Sequence, residues 1–295
     1  MSAQPISIIT NAVIIAYHAG RPFVRVVDSS GDPALPSGLV ADEDRTITES
    51  IRRWVKSSTS QDLGYVEQLY TFGDADRVEV DSVDQGRALS IAYLALVEVE
   101  EVGDGWTDLY RFLPWEDGRE PDALKLRSQI AAQLDKFTDL GSADTKQARL
   151  ERTKILFPDD GKLFDGVRAL ERYELMYEAG LLAEAGATEG LGSEMYLDHR
   201  RIVATALARV RGKLSYRPVV FELLPSTFTL RELQNVVEAL LGSELHTQNF
   251  RRRLETQGLV EPTGEFSTPI GGGRPAEQFK FRREVLLERP RPGVK

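Results

Sequence analysis

The sequence predicts an α+β chain in two parts, a mixed α/β N-terminal domain with a helical insertion and a smaller C-terminal domain of helices and a hairpin. Three observations predict it. A chain of 295 residues is long enough for about two domains of roughly 100–200 residues each. Apolar, β-branched stretches separated by turn residues come first, and a segment rich in Ala, Leu, Glu and Arg follows. Basic residues are concentrated near the C-terminal end.

The charge distribution separates the two parts. The net charge of −9 argues against a nucleic-acid partner for the chain as a whole. From residue 245 onward, however, ten basic residues face six acidic ones, whereas the rest of the chain has 27 basic and 40 acidic residues. Such asymmetry indicates one basic module on an acidic body.

Composition excludes several kinds of site. The chain has no cysteine, so disulfides, thiol nucleophiles and thiolate metal sites are excluded. Its three histidines are scattered along the chain, which leaves little for a zinc site, and we predict no metal. Neither a secretory signal nor a segment of transmembrane length is recognised. We therefore expect a cytoplasmic protein without a membrane partner.

The N-terminal domain core is predicted over residues 1–115. Strands are expected at four apolar stretches, Ile6–Tyr17, Phe23–Val27, Val66–Phe72 and Ala88–Val99. One helix is expected between the second and third of them, at Thr48–Ser57. Residues 116–197 show helical spacing broken near Phe157–Gly161, and we interpret them as an insertion whose acidic residues form a solvated face.

The C-terminal domain is predicted over residues 198–295. Its first helix, about Asp198–Leu214, is amphipathic and either links the two domains or pairs with a partner chain. Thr229 and Glu232 have the spacing of a capping box, which opens a helix that ends at Gly242. A second helix over Thr247–Gln257 and a Gly-rich hairpin follow. This is the order of a winged helix-turn-helix.

The second helix has the chemistry of a DNA-recognition helix. Phe250 and Leu254 define its buried side. Arginine reads guanine, and asparagine or glutamine reads adenine, whereas flanking arginines contact phosphates. A basic, solvated helix without a DNA partner is the alternative. The predicted DNA-binding residues are Gln248, Asn249, Arg251, Arg252, Arg253 and Thr256, with Arg274 of the hairpin loop entering the minor groove or lying in a plain flexible loop.

Three segments resemble the Nudix-related transcriptional regulators (NrtR). They are Tyr65–Asp74, Ser90–Val97 and the tail His199–Phe281, while Arg172–Leu181 in the insertion resembles the NadQ-type branch that controls NAD biosynthesis. The resemblance implies a Nudix-like α/β/α N-terminal domain, operator DNA upstream of NAD-biosynthesis genes, and an adenine nucleotide effector, namely NAD, ATP or ADP-ribose.

The resemblance also shows what is missing. Against the motif of active Nudix enzymes, Gly38 and Arg52 match and Asp44 stands at the first glutamate. The later carboxylate positions carry Arg53, Lys56 and Ser57, which share one helix face. Mg²⁺ prefers oxygen ligands, so we expect neither metal binding nor hydrolysis.

The same positions suggest an effector site. Arg53 and Lys56 are fixed positive charges where the enzymes hold metal, so a pyrophosphate is held without being cut; the alternative is a solvent-facing helix. Aromatic residues nearby either stack an adenine or belong to the core. The predicted effector-binding residues are Arg52, Arg53, Trp54, Lys56, Tyr70 and Phe72.

The predicted function is therefore that of a nucleotide-controlled repressor acting as a homodimer, because two half-sites give a helix-turn-helix useful affinity. Two alternatives remain open at this point. One is an active nucleotide diphosphate hydrolase with an accessory DNA-binding domain. The other is a scaffold whose winged domain binds a protein.

Overall fold

The N-terminal domain is built on one mixed sheet. The structure is a computed structural model that describes residues 6–59, 63–73, 87–140, 142–158, 164–214, 219–267 and 275–282. The strand order is β6-β7-β1-β2-β8, with β5 also paired to β1. Only the β1–β7 pair in this sheet is parallel among the described pairings. The strands are β1 (Ile6–His18), β2 (Arg21–Arg25), β5 (Ser37–Leu39), β6 (Tyr65–Phe72), β7 (Arg87–Val97) and β8 (Trp106–Asp108).

The predicted strand over Phe23–Val27 is divided. β2 ends at Arg25, and Val26 donates its backbone N–H to the carbonyl of Gly105 at 2.8 Å instead of continuing the ladder. The chain then forms a separate two-stranded ribbon of β3 (Val27–Ser29) and β4 (Asp32–Ala34).

Both faces of the sheet are covered by helices. On one face Ala12 and Ile14 of β1 pack against Ile51 and Val55 of helix α1 (Ile47–Thr59). On the other face the neighbouring β1 residue Val13 belongs to the larger core formed with the later helices. Because successive side chains of a strand point to opposite faces, a nearly continuous apolar β1 is the expected sequence for such a sandwich.

The insertion is helical, as predicted. Helix α2 (Leu109–Phe112) and a 3₁₀ turn at Pro114–Glu116 lead into it. The insertion itself contains α3 (Ala123–Thr138), α4 (Ala143–Leu156) and α5 (Ala169–Glu178), with 3₁₀ turns at Gly166–Arg168 and Ala183–Ala185. The predicted break follows the end of α4 at Leu156.

Helix α6 (His199–Leu214) lies in the middle of the molecule. It packs against β1 and β6 of the sheet, against α5, and against the helix at Leu230–Leu241. Most of its residues are buried within this chain, including Val203, Leu207 and Val210 of the predicted stripe. The stripe is therefore packed inside this chain, and pairing of the helix with a partner chain stays a prediction.

The C-terminal domain has the predicted helix–turn–helix–hairpin order. It contains β9 (Phe228–Thr229), α7 (Leu230–Leu241), α8 (Thr247–Gln257), β10 (Val260–Ser267) and β11 (Ala276–Phe281). The capping box is formed: the Thr229 N–H donates to Glu232 Oε2 at 2.7 Å, and the Glu232 N–H donates to Thr229 Oγ1 at 3.2 Å. Gly242 ends α7 at φ +64°, in the left-handed region.

One hydrophobic core joins the predicted parts. It extends from Val13 in the sheet through Tyr173 in the insertion and Leu207 in α6 to Leu240 and Leu254 in the C-terminal domain. The boundaries at residues 115 and 197 stay predictions, because this core crosses both. Within the described ranges, no helix combines the length and apolarity that a bilayer span requires.

Candidate nucleic-acid interface and nucleotide groove

Helix α8 presents a polar face to solvent. Leu254 is only 7% exposed and Phe250 packs against the core, so the helix is anchored on the side that the sequence predicts. The structure places all six predicted helix residues on the exposed side, namely Gln248, Asn249, Arg251, Arg252, Arg253 and Thr256. The seventh, Arg274, lies outside the described residues.

The outer side of α8 carries net positive charge. Arg251, Arg252 and Arg253 follow one another, and no carboxylate of the described chain forms an ion pair with them. The Thr256 hydroxyl forms a hydrogen bond within the helix, donating to the Arg252 carbonyl at 2.8 Å. The three guanidinium groups are therefore available to an external anion such as DNA phosphate.

Two side chains of α7 hold the start of α8 in place. Gln234, which is buried, donates through Nε2 to the Leu245 carbonyl at 3.0 Å and to Thr247 Oγ1 at 3.3 Å. Glu238 accepts the Leu245 N–H at 2.9 Å. Sequence reasoning did not single out either residue, because a polar side chain at a helix end gives no sign of what it contacts.

The α1 face differs from the predicted effector site. Arg53 donates to both oxygens of Asp44, at 3.0 Å from Nε and 2.6 Å from Nη2, and its guanidinium stacks on Trp54. Those hydrogen bonds from Arg53 hold the pKa of Asp44 well below its ordinary range. Arg53 is thus a fixed charge with a carboxylate partner, and its binding of a pyrophosphate stays a prediction.

Trp54 and Arg52 also have structural partners. The Trp54 indole donates to the Leu39 carbonyl at 2.7 Å, and its ring fills the space beside Gly38, where a Cβ would come within 1.9 Å. Arg52 donates to the carbonyls of Leu63 and Gly64. Stacking of an adenine on Trp54 is therefore not supported by its placement.

The α1 face does not fit a magnesium ion. Arg53, Lys56 and Ser57 are exposed on it, and they offer two cations and one hydroxyl where carboxylates are needed. The nearest matching carboxylate, Asp44, is taken by Arg53. Elsewhere in the described part of the chain, no group of three His, Asp or Glu side chains is arranged to hold a metal.

The remaining two predicted effector residues lie on the other face of the sheet. Phe72 is buried in the core shared with α6, and Tyr70 beside it is 60% exposed. Their rings meet edge to face, with centroids 5.3 Å apart. The six predicted residues thus do not form one pocket, since the sheet separates the α1 residues from this pair.

Tyr70 borders a groove between β6 and helices α5 and α6. The groove has a volume of about 510 Å³ and shares Glu174 and Arg201 with an adjoining cavity of about 410 Å³. Arg201 contacts Glu174 at 2.8 Å and lies over the Phe72 ring. An exposed tyrosine, Tyr177, stands on the far side. The other lining residues of the groove proper are Leu69, Leu170, Thr205, Ala208, Arg209 and Gly212.

Arg209, which lines the groove, and the buried Lys213 share one carboxylate. Glu67 accepts hydrogen bonds from both Arg209, at 2.7 Å, and Lys213. Burial alone would raise the pKa of Glu67, but the bonds from Lys213, Tyr65 and Arg209 hold it below its ordinary value. One ionised carboxylate thus faces two cations. The groove thus combines the exposed ring of Tyr70 with the guanidinium groups of Arg201 and Arg209, beside the acidic Glu174. Aromatic rings and guanidinium groups are the kinds of side chain that bind an adenine and a phosphate.

Fold and surface together define a class: a Nudix-like sandwich joined to a DNA-binding winged helix. Residues 220–281 match the family described as the NrtR DNA-binding winged helix domain. A curated relative, the ADPR responsive transcriptional repressor NtrR of Acinetobacter baylyi, is 38% identical over 93 residues. That match covers 32% of this chain and 36% of the relative, so the chain aligns with only about a third of the relative's length.

Solved structures share the fold over nearly the whole chain. Shewanella oneidensis NrtR complexed with a 27mer DNA is 21% identical, with a TM-score of 0.56 and 95% of each chain covered. A MutT/nudix family protein from Enterococcus faecalis is 16% identical, with a TM-score of 0.53 and coverage of 96% and 88%. The chain therefore resembles the NrtR proteins in two ways: residues 220–281 match their winged helix domain in sequence, and nearly the whole chain shares their fold. The NadQ-type branch stays a prediction.

Proposed function

We propose that the chain is a DNA-binding transcriptional repressor that reads an operator through α8 and binds an adenine nucleotide in its Nudix-like domain. The main support for this proposal is the set of side chains exposed on the outer side of α8. Six polar or basic side chains are exposed there while Phe250 and Leu254 fix the helix from below. An anchored helix of this kind can enter the major groove of a duplex.

The roles of the α8 residues follow from their chemistry. Arg252 forms a bidentate pair with guanine, and Gln248 and Asn249 pair with adenine. Arg251 and Arg253 bind phosphates and set the register of the protein on the duplex. The repressor binds as a homodimer, since two half-sites roughly one helical turn apart give the affinity that one recognition helix lacks.

The names of relatives support both ligands. The Shewanella oneidensis structure contains NrtR with DNA, and the Acinetobacter baylyi relative is ADPR responsive. We propose ADP-ribose as the effector, with NAD and ATP as alternatives that share its adenine and phosphates. We place it in the groove beside Tyr70, Arg201 and Arg209 rather than on α1. The regulated genes we propose are those of NAD biosynthesis, which the family resemblance implies.

The Nudix-like domain binds the nucleotide without hydrolysing it. The α1 face offers Arg53, Lys56 and Ser57, so Mg²⁺ has no carboxylate cluster to occupy there. No feature of the described groove favours the hydrolase alternative.

An equilibrium titration tests the DNA-binding part of this proposal. The duplex is the sequence that the wild-type chain selects from a randomised pool, and binding is followed by fluorescence anisotropy. Arg252→Ala is expected to cost about 1–3 kcal/mol and to relax discrimination at one position. Arg45→Ala, which removes an exposed arginine next to α1, is the matched control and leaves binding unchanged.

Salt provides the second readout. Wild-type affinity should fall with a log–log slope of about −0.9 for each phosphate neutralised. A duplex affinity that does not change with salt, or an Arg252→Ala variant that binds the duplex like the Arg45→Ala control, would contradict DNA recognition by α8. Either result would favour the alternative in which the winged domain binds a protein.

A further inference from the structure

A cluster of four buried polar side chains lies at the end of helix α7, and two of them bond to it. The four are Tyr110, Glu116, Arg172 and Arg211, and we call them the coupling cluster. None of the four is more than 3% exposed. They come from α2, from the 3₁₀ turn after it, and from α5 and α6. The cluster therefore joins elements of the Nudix-like domain to the winged helix.

Glu116 is the centre of the coupling cluster. It accepts hydrogen bonds from Arg172 Nε at 2.6 Å and Arg172 Nη2 at 2.9 Å, and its second oxygen also accepts from Arg211 Nη1. Burial acts to raise the pKa of Glu116, but the attraction of the two guanidinium groups outweighs it and lowers the pKa. The carboxylate is ionised, and each arginine depends on it for a counter-charge.

The same cluster binds the carbonyl groups that end α7. Arg211 Nε donates to the Leu240 carbonyl at 2.8 Å, and the Tyr110 hydroxyl donates to the Ala239 carbonyl at 2.6 Å. The last carbonyls of a helix have no partner within the helix, and a cation there is favoured by the helix dipole. These bonds fix the end of α7 just before the turn into α8.

The turn itself touches the same segment. The Gly118 N–H donates to the Gly242 carbonyl at 2.7 Å. A Cβ at Gly242 would lie 2.2 Å from the Glu116 carbonyl oxygen, so the backbones meet too closely for any other residue. A change in the position of Glu116 would therefore displace the turn that sets the direction of α8.

Helices α5 and α6 connect the groove to the coupling cluster. On α5, Leu170 and Glu174 line the groove while Arg172 between them reaches Glu116. On α6, Arg209 and Gly212 line the groove while Arg211 reaches Glu116 and α7. A ligand in the groove thus contacts the two helices whose other sides hold the winged domain.

We propose that the coupling cluster transmits nucleotide occupancy of the groove to the orientation of α8, with Arg211 and Tyr110 as positioning residues for DNA recognition. This inference rests on the proposed function. A nucleotide that separates α5 from α6 changes the spacing of Arg172 and Arg211 around one carboxylate. If either arginine moved away from Glu116, a buried charge would lose its partner. The arginines and Glu116 therefore move together and displace α7, or their ion pairs break together.

The test compares two conservative variants of the full chain. Tyr110→Phe removes the hydroxyl that holds the end of α7, and Tyr93→Phe is the control, because Tyr93 is buried on the α1 side of the sheet. Duplex affinity is measured by anisotropy with and without ADP-ribose, and ADP-ribose affinity by calorimetry. The coupling factor is the ratio of the two duplex affinities.

Tyr110→Phe is expected to keep its far-UV circular dichroism and its ADP-ribose affinity, while its coupling factor falls by about threefold or more relative to wild type. A purely structural role would lower the melting temperature without changing that ratio. Arg211→Lys keeps the charge but loses the planar fork, and it should reduce the coupling factor further.

The outcomes separate the two claims. An equal coupling factor in wild type, Tyr110→Phe and Arg211→Lys overturns the inference and leaves the proposed function intact. A wild-type chain that binds duplex equally with and without ADP-ribose overturns the proposed regulation itself, whatever the variants do.

Discussion

At the scale of single residues, partners decide what a charged side chain can do. Arg53 and Arg252 look alike in the sequence, as basic residues on polar helix faces. In the structure Arg53 is paired with Asp44, whereas Arg252 has no carboxylate partner in the described chain. Arg252 can therefore bind a phosphate or a base without competition from a carboxylate of the described chain.

The nucleotide affinity of two variants tests which face of the sheet binds the nucleotide. Tyr70→Ala removes an exposed ring beside the groove and should weaken ADP-ribose binding about tenfold, since stacking of a base on an aromatic side chain contributes roughly 1–3 kcal/mol. Arg53→Ala is the comparison and should leave the affinity unchanged. Isothermal titration calorimetry measures both.

The reverse pattern, in which Arg53→Ala weakens ADP-ribose binding and Tyr70→Ala does not, would show that the nucleotide binds at α1. Equal affinity in wild type and both variants would place it elsewhere.

The sequence predicted which side chains of α8 are exposed, but it did not predict the contacts of the residues on α1. On α8 the inward residues, Phe250 and Leu254, are apolar and follow the helical period, so the outward set is determined by local geometry. On α1 the decisive fact is a contact between Arg53 and a residue nine positions earlier in a loop. Periodicity carries no information about such a contact.

At the scale of elements, the chain is locally consistent. The helices α1, α6, α7 and α8 are found within a residue or two of the predicted ranges, because each combines an apolar stripe with clear end signals. The short β9 and the division of the second predicted strand were missed. Both depend on backbone pairing with distant segments, at β11 and at Gly105.

The capping box of α7 gives a prediction at this scale. Thr229→Ala removes one of two reciprocal hydrogen bonds and should lower the free energy of unfolding by about 1 kcal/mol. Urea denaturation followed by circular dichroism measures it. Ser243→Ala, in the exposed turn after α7, should change stability much less.

A double variant checks that the two groups act together. Because Thr229 and Glu232 bond to each other, Thr229→Ala combined with Glu232→Ala should cost less than the two single changes added. Strict additivity would mean that the box contributes nothing as a pair.

At the scale of the whole molecule, buried charge joins the two domains. The acidic residues of the insertion are predicted to form a solvated face, yet Glu116 is buried against Arg172, and Arg211 of α6 completes the cluster. A guanidinium on the apolar side of a helix is the one signal in the sequence. Such a guanidinium needs a buried counter-charge, but the sequence does not identify the carboxylate that supplies it.

Glu116 makes stability depend on pH. Its folded pKa lies below the ordinary value, so its stabilisation is complete above the unfolded pKa of about 4.3 and is lost as the pH falls through the folded pKa. The melting temperature of Glu116→Gln should therefore lie well below that of wild type at pH 7, and the gap should narrow toward pH 3.

Glu178→Gln is the matched control for this measurement. Glu178 pairs with Arg152 at the surface, where ion pairs contribute little, so its variant should melt close to wild type across the range. A Glu116→Gln gap that is as wide at pH 3 as at pH 7 would show that its carboxylate charge does not stabilise the fold.

The central claim is that one chain couples a nucleotide site to a DNA-reading helix. The most direct measurement is the affinity of the full-length protein for its selected duplex at fixed salt, titrated with ADP-ribose, NAD and ATP in turn. At least one of these nucleotides should change the duplex affinity by about fivefold or more. Tight duplex binding that none of the three alters would contradict the claim.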